Sequence, residues 1–246
     1  LSSLVSLIGI RGGVASVNHP FGTGGGSVLS DAAYRTKLST TAASLLAANA
    51  YGAHVLEVGY KKRGQMSVEG HIDLWDILLS SGLRIMANGV SDNHAGNLDG
   101  WLTGSNRYFT DVVSDSADPA DVVPLLSSGR CFVSLRPEYS GMLDLSCDDT
   151  LMGGVRAGTG STATVTATAD ALPSGGSLRI VQMPVHGVRN RNTATPPLWE
   201  RTVTPSQLTS GAISVGVTNV ASYLRTEVRD ADGTVVGFSN PLFLAP

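Results

Sequence analysis

The stretch GVSDNHAGN, residues 89–97, places an aspartate and a histidine directly after the apolar segment LRIMA. Residues two apart on an extended backbone point the same way, so Asp92 and His94 are expected to face one target while Asn93 turns aside. A carboxylate and an imidazole at the carboxyl end of a strand indicate half of a metal site or an acid–base pair. The same residue types also cap turns, and the pair alone leaves both interpretations open.

Two other predicted strand ends carry polar groups. Asn18 and His19 follow VASV, and Glu57 lies in HVLEVGY. The loops after parallel barrel strands converge on one mouth, where catalytic groups collect. Imidazole nitrogen and carboxylate oxygen suit Zn, Mn or Fe, and a bound cation converts water into a hydroxide nucleophile. Singly, His19 before a proline is typical of a turn, and Glu57 on an exposed strand faces water. The three strand ends together leave the chemical and the structural interpretations balanced.

The elements that position these groups alternate between strand and helix over residues 1–150. Residues 31–50 have helical spacing, with Asp31 as the predicted N-cap. HIDLWDILLSSG has the pattern of an amphipathic helix ending at Gly82, and LRIMANGV reads as the next strand. DPADVVPLLSSG then predicts a helix and RCFVSL a strand. This alternation predicts βαβ units in a parallel sheet or barrel.

The pattern changes near residues 152–154. From there the chain consists of short alternating segments rich in β-branched residues and separated by Gly, Pro, Asn and Asp. We therefore predict a first domain over residues 1–150 and an antiparallel β-sandwich over residues 151–246, with DADG as a hairpin turn. The fold class is thus α/β followed by all-β.

The composition excludes some classes of protein. The chain is 42% hydrophobic and 15% charged, which permits a buried core, and its net charge of −3 gives no general attraction to nucleic acid. No apolar run approaches the ~18 residues needed to cross a bilayer. Abundant Ser, Thr and Gly favour an extracellular or particle-associated protein, with a cytoplasmic one as the alternative. Cys131 and Cys147 lie in neighbouring predicted strands, as a disulfide or as two core thiols.

Four segments in order, VNHPFG, VLEVGY, LWDILLSSGLRIMANGVSDNH and LLSSGRCFVS, resemble the later half of the PHP (polymerase and histidinol phosphatase) superfamily. The branch that they resemble is the metallohydrolases related to carbaryl hydrolase. The match spans residues 10–135, and SYLRTEVRD…FSNPLFL is similar to the β-rich tail of many members. The resemblance implies the C-terminal part of a distorted (β/α)7 barrel that holds two or three divalent metal ions (Zn, Mn or Fe) at its mouth.

The resemblance also implies roles for individual residues. His19 matches the metal-binding histidine before proline, and Asp92 and His94 match the final Asp-x-His ligands. Glu57 matches an acidic strand position that serves as a ligand, a substrate contact or a group behind the ligands. We assign it a catalytic role as an orienting or proton-handling carboxylate.

The family's opening His-x-His motif has no counterpart in this chain. The histidines are His19, His54, His71, His94 and His186, and no two are separated by one residue. We therefore expect an N-terminal segment or another chain to complete the barrel, because a half-barrel exposes sheet edges and an apolar face.

Two functions follow from these patterns. The first is a metal-dependent hydrolase in which metal-bound hydroxide attacks a phosphoester, or an ester or carbamate. Asn18, Lys61 and Arg63 would contact the substrate, although the basic run Lys61–Arg63 is also typical of a solvated loop. The second is an inactive, PHP-derived structural or binding module in an extracellular or virus-particle assembly.

Overall fold

The computed structural model describes residues 1–94, 107–186 and 196–246. The first part contains the following helices and strands: α1 (Ser2–Ile10), β1 (Ser16–Val17), α2 (Asp31–Ala47), β2 (Val55–Gly59), β3 (Lys62–Arg63), β4 (Met66–Ser67), α3 (Val68–Ser80) and β5 (Met86–Gly89). Strands β1, β2 and β5 form a three-stranded sheet in that order, and both of its pairings are parallel. The parallel βαβ arrangement predicted from the sequence is confirmed for these three strands.

The rest of the chain is dominated by antiparallel strands. Its elements are β6 (Tyr108–Val112), α4 (Val122–Ser128), β7 (Cys131–Leu135), β8 (Leu143–Cys147), β9 (Thr150–Leu151), β10 (Val155–Ala157), β11 (Thr162–Ala169), β12 (Ser177–Pro184), β13 (Trp199–Val203), β14 (Ala212–Thr218), β15 (Ser222–Arg229), β16 (Val235–Ser239) and β17 (Leu242–Ala245). Short 3-10 helices occupy Asn49–Gly52, Pro119–Asp121 and Pro205–Gln207.

These strands form two larger sheets. One has eight strands: β10, β17, β15, β16, β7 and β6 lie in this order, β12 also pairs with β15, and β13 pairs with β12. The other has four, in the order β14, β11, β8 and β9. The DADG segment is the turn between β15 and β16, as predicted, and Gly233 donates to the Asp230 carbonyl. The prediction of a mixed α/β and β-rich chain is therefore confirmed.

No barrel is formed by the strands in the described part of the chain, so the structure does not bear out the predicted barrel portion. Strand β7, expected to continue the parallel series, instead pairs antiparallel with β6 and β16. All five of its residues are buried. A strand buried on both faces is apolar in either pairing mode, so its sequence does not distinguish them. The domain boundary near residues 152–154 stays a prediction.

The parallel sheet packs closely against β7. Gly59 and Gly89 end β2 and β5, and a Cβ added at either would lie 2.5 or 2.7 Å from a Val133 methyl group. Glycine is therefore required at both positions for this close approach. Strand β6 lies beside the end of β5, where the Thr110 side chain bonds to the Gly89 backbone.

Helix α3 lies within the core, with contacts to α2, β2 and β12. Eleven of its thirteen residues are buried, so the helix is covered on more than the single face that its sequence pattern predicted. The Trp75 indole nitrogen donates to the Ile85 carbonyl at 2.8 Å. Gly82 follows with a φ of 87°, which confirms its predicted place at the helix end.

Two buried polar contacts join the eight-stranded sheet to the first part of the chain, one at the parallel sheet and one at helix α3. The Asn240 side chain accepts from the Ala87 amide at 2.7 Å and donates to the Ala87 and Cys131 carbonyls at 3.0 and 2.9 Å. Arg225 of β15 binds Asp76 of α3 through two nitrogens at 2.9 and 2.6 Å.

Cys131, like Cys147, is a free, buried thiol. The core-thiol alternative is therefore the correct one.

Helix α1 has an uncovered apolar stripe in this structure. Leu1, Leu4, Leu7 and Ile10 are 74%, 56%, 50% and 80% exposed, and Val5 alone in the helix is buried. Strand β1 is an edge strand of the three-stranded parallel sheet. Among the described helices, none has both the length and the apolarity to span a membrane.

Candidate functional site

His19 and Glu57 are brought together by the pairing of β1 and β2. The register sets Val17 opposite Leu56, so the residues just beyond lie at the same edge of the sheet. His19 leaves β1 with a φ of 53°, a backbone conformation in which histidine is enriched among non-glycine residues. Its Nδ1 lies 3.2 Å from Oε1 and 3.0 Å from Oε2 of Glu57. Glu57 is fully buried, which excludes the solvent-facing interpretation.

Asp92 and His94 follow β5 and contact each other. Asp92 also has a positive φ, 54°, and its Oδ1 lies 3.1 Å from His94 Nε2. The His94 side chain is 86% exposed, whereas that of Asp92 is 23% exposed. The two side chains therefore form a pair at the strand end, with the imidazole on the outer side. Residues 95–97 of the same stretch lie outside the described residues.

Arg63 lies between the two pairs. Its Nη1 donates to Asp92 Oδ2, and its Nη2 lies 3.3 Å from His19 Nε2. The guanidinium carbon is 4.7 Å from the centroid of the Tyr60 ring, a cation–π distance. The side chain is only 10% exposed. A continuous chain of polar contacts thus runs from Glu57 through His19, Arg63 and Asp92 to His94.

The β3–β4 hairpin fixes the position of Arg63. Gly64 at its turn has a φ of 56°, and a Cβ there would lie 2.3 Å from the Phe21 carbonyl oxygen. The Lys37 ammonium donates to the Gly64 carbonyl at 2.7 Å. The hairpin is therefore pressed against the turn that follows His19, so the backbone of Arg63 is held beside this turn.

The contacts determine which atoms carry protons. His19 Nδ1 has a carboxylate partner, so it is the protonated ring nitrogen, and Nε2 accepts from Arg63. Burial alone would raise the pKa of Asp92. Hydrogen bonds from Arg63 and His94 outweigh burial, and the pKa of Asp92 is lowered. This carboxylate is therefore ionised throughout the neutral range and available to a cation.

A pocket of about 470 Å³ opens at this edge. Eight of the side chains that line it carry polar atoms: Asn18, His19, Glu57, Ser91, Asp92, Asn93, Tyr108 and Thr110. The Asn18 amide oxygen accepts from Ser16 Oγ at 2.7 Å, and Thr110 Oγ1 bonds the Gly89 amide and carbonyl at 2.9 Å each. The pocket is thus a polar depression shared by the ends of β1, β2 and β5 and by β6.

The donor types in the pocket fit a divalent cation, but their present spacing is set by Arg63. A histidine whose Nδ1 binds a buried carboxylate, leaving Nε2 toward a shared site, is the usual arrangement behind a metal ligand. Glu57 Oε2 is buried, close to Nδ1 but without a well-aligned hydrogen bond. Among the described residues no three His, Cys, Asp or Glu groups are grouped to hold an ion. The guanidinium occupies the space between Asp92 and His19.

The structure brings most of the candidate residues together. His19, Glu57, Arg63, Asp92 and His94 form one connected chain of contacts, and Asn18 lines the same pocket. The Lys61 side chain is exposed, and its contact with a substrate stays a prediction.

Sequence reasoning missed the contribution of β6 and the contact between Arg63 and Asp92. Thr110 of β6 follows the end of β5 by 21 residues, and a separation of 29 residues between Arg63 and Asp92 gives no local signal. His71 lies behind the site, with its Nδ1 2.9 Å from the Ser67 carbonyl. Burial lowers the pKa of His71 to about 4, so it is a neutral core residue.

Comparison with protein-family models, with curated proteins and with solved structures finds no match to this chain.

Proposed function

We propose that the chain contributes to a metal-dependent hydrolase of the PHP type, acting on a phosphoester, or on an ester or carbamate. In this proposal His19, Asp92 and His94 bind a divalent cation, Zn, Mn or Fe. When bound, the cation would polarise the substrate and lower the pKa of water at the site.

The observation that carries the proposal is the His19–Glu57 pair. A buried carboxylate on Nδ1 fixes the orientation of the imidazole ring and its tautomer, and it leaves Nε2 as the ring nitrogen that can bind a cation. On this basis Glu57 is an orienting carboxylate, which is one of the roles expected from the sequence. The ends of β1 and β5 supply His19 and Asp92 to the same pocket from either side of β2.

The remaining polar side chains have roles that follow from their positions. Asn18, at the end of β1, and Thr110, of β6, both line the pocket, and in this proposal they orient a substrate oxygen. His94 is the most exposed of the proposed ligands, and its contact with Asp92 links it to the other ligands. Its imidazole has to rotate away from Asp92 Oδ1 to give Nε2 to a cation.

A completed site needs further ligands, and we expect them from an N-terminal segment or another chain. The exposed apolar stripe on α1 and the edge strand β1 support such a partner, because a folded assembly covers surfaces of both kinds. The extracellular or particle-associated setting belongs to the same proposal.

One observation favours the second function, a binding or structural module without catalysis. Arg63 already neutralises Asp92 and binds His19, so the site has an internal cation. In an inactive descendant this ion pair would be permanent and the pocket would serve recognition alone.

Metal-dependent hydrolysis by the full chain, together with the N-terminal segment or partner chain that completes the site, separates the two functions. We would assay p-nitrophenyl phosphate, p-nitrophenyl acetate and a naphthyl carbamate with added Zn²⁺, Mn²⁺ or Fe²⁺. We expect turnover that chelation abolishes and that His19→Asn and Asp92→Asn remove. His186→Asn is the matched control, since it changes an exposed imidazole outside the pocket. Turnover that survives chelation contradicts the proposal, and so does turnover that both site variants retain.

A further inference from the structure

The guanidinium of Arg63 binds two of the three residues that the proposed function assigns to the cation. It contacts Oδ2 of Asp92 and Nε2 of His19. A metal ion held by these residues would compete with Nη1 and Nη2 for the same two atoms. The two cations therefore exclude each other sterically as well as electrostatically.

The formal charges of the site favour exchange over coexistence. Glu57 and Asp92 contribute two negative charges, and Arg63 offsets one of them. Substitution of Arg63 by one divalent ion would leave the group neutral, whereas both cations together would leave a net positive charge in a poorly solvated pocket. Such an excess is costly because Coulomb interactions strengthen as the effective dielectric constant falls.

The contacts of Arg63 are incomplete, which makes it a replaceable occupant. Its Nε is buried and has no hydrogen-bond partner in the described part of the chain. The remaining contacts are the two Nη groups and the Tyr60 ring. A guanidinium with all five N–H groups satisfied would resist displacement far more strongly.

We propose that Arg63 is an internal cation that holds the site together and must withdraw before a divalent metal ion binds. The inference rests on the proposed function, because it concerns the same ligands. It adds a regulatory property: the affinity for metal is set by competition with a side chain of the chain itself. Any partner that draws Arg63 away, such as an anionic substrate group, would then strengthen metal binding.

Metal affinity without any assay of activity tests this exchange. Mn²⁺ binding to the full chain would be measured by equilibrium dialysis, with free Mn²⁺ followed by its paramagnetic resonance signal. Arg63→Gln removes the charge and is expected to lower the dissociation constant on the order of tenfold or more. Arg63→Lys keeps the charge and is expected to stay near the wild type. Lys62→Gln is the matched control, since it removes one charge from an exposed side chain of the same hairpin.

Thermal unfolding gives an independent readout. Without metal, Arg63→Gln should lower the melting temperature because Asp92 loses its partner. Saturating Mn²⁺ should close that gap, since the variant binds the ion more tightly and mass action stabilises the bound state. A purely structural arginine would leave the gap unchanged.

Chemical rescue covers the case in which Arg63→Gln fails to fold. Arg63→Ala leaves a space into which methylguanidinium fits, and this added cation should weaken Mn²⁺ binding to that variant and not to the wild type. If only Arg63→Lys can be purified, we expect methylguanidinium to leave the dissociation constant of this variant for Mn²⁺ unchanged. A dissociation constant that methylguanidinium raises would contradict the exchange.

The outcomes separate this inference from the proposed function. Equal or weaker Mn²⁺ binding by Arg63→Gln, beside a wild type that binds the ion, overturns the exchange and leaves the metal site standing. Binding by no variant overturns both.

Discussion

Glu227 is the centre of a buried ion cluster, and its removal gives a stability effect whose size the structure supplies. Its carboxylate accepts from Arg225 and Arg229 at 2.5 Å each and from Arg179 at 3.2 Å. The side chain is 1% exposed. Burial alone would raise its pKa, but the three guanidiniums outweigh burial and lower the pKa from 4.5 to about 2.

The change from Glu227 to Gln keeps the shape of the side chain and removes its charge. A pKa lowered from 4.5 to about 2 corresponds to roughly 3 kcal/mol of stabilisation. Breaking one partner of a buried ion pair typically costs about 3–5 kcal/mol, which agrees with that value. We therefore expect Glu227→Gln to lower the free energy of unfolding by about 3 kcal/mol at pH 7.

The sign of the pH dependence follows from the direction of the pKa change. A carboxyl group whose folded pKa is lowered contributes its full stabilisation above its ordinary pKa and loses it as the pH falls toward the folded pKa. The difference between wild type and Glu227→Gln should therefore be constant from pH 7 to about pH 5 and shrink between pH 4.5 and about 2.

Urea unfolding followed by tryptophan fluorescence and circular dichroism measures this difference. Glu200→Gln is the matched control, because Glu200 also binds Arg179 but its side chain is 52% exposed. An exposed pair of this kind contributes under about 1 kcal/mol. The reasoning would be refuted by a loss below about 1 kcal/mol for Glu227→Gln, or by a loss that does not change between pH 5 and pH 3.

Three further predictions concern the site and its support. Glu57→Gln should weaken Mn²⁺ binding about tenfold in equilibrium dialysis, because His19 loses its charged partner; unchanged affinity would contradict its orienting role. Gly64→Ala should cost at least about 1–3 kcal/mol in urea unfolding, since it combines a positive φ with a backbone clash; a neutral result would mean that the hairpin is not pressed against its neighbour. Asn240→Ala should cost about 3 kcal/mol, because three buried backbone groups lose their partner; a loss below about 1 kcal/mol would count against that contact.

The sequence was sufficient where local pattern determines structure. The helical spacing of α2 and α3, the apolar runs of β2 and β5 and the glycine at the end of α3 all lead to the elements observed. The convergence of His19, Glu57 and Asp92 was also predictable, because the ends of neighbouring parallel strands meet at one edge.

The pairing of strands that are distant in the chain could not be predicted from the sequence. Nothing within RCFVSL shows that β7 joins β16, a hundred residues later, in an antiparallel sheet, because a fully buried strand looks alike in both modes. Arg63 was expected at a substrate, but the structure pairs it with Asp92. The direction in which the Arg63 side chain points depends on the β3–β4 hairpin and on the close packing at Gly64, which are tertiary features.

The central claim is that His19, Asp92 and His94 form a divalent cation site, and metal stoichiometry at saturation tests it most directly. The full chain would be dialysed against excess Mn²⁺, and bound metal would be counted by elemental analysis beside Asp92→Asn and the control His186→Asn. We expect at least one bound ion per chain for the wild type and the control, and one ion fewer per chain for Asp92→Asn. No bound ion in the wild type, or equal binding by all three proteins, would contradict it.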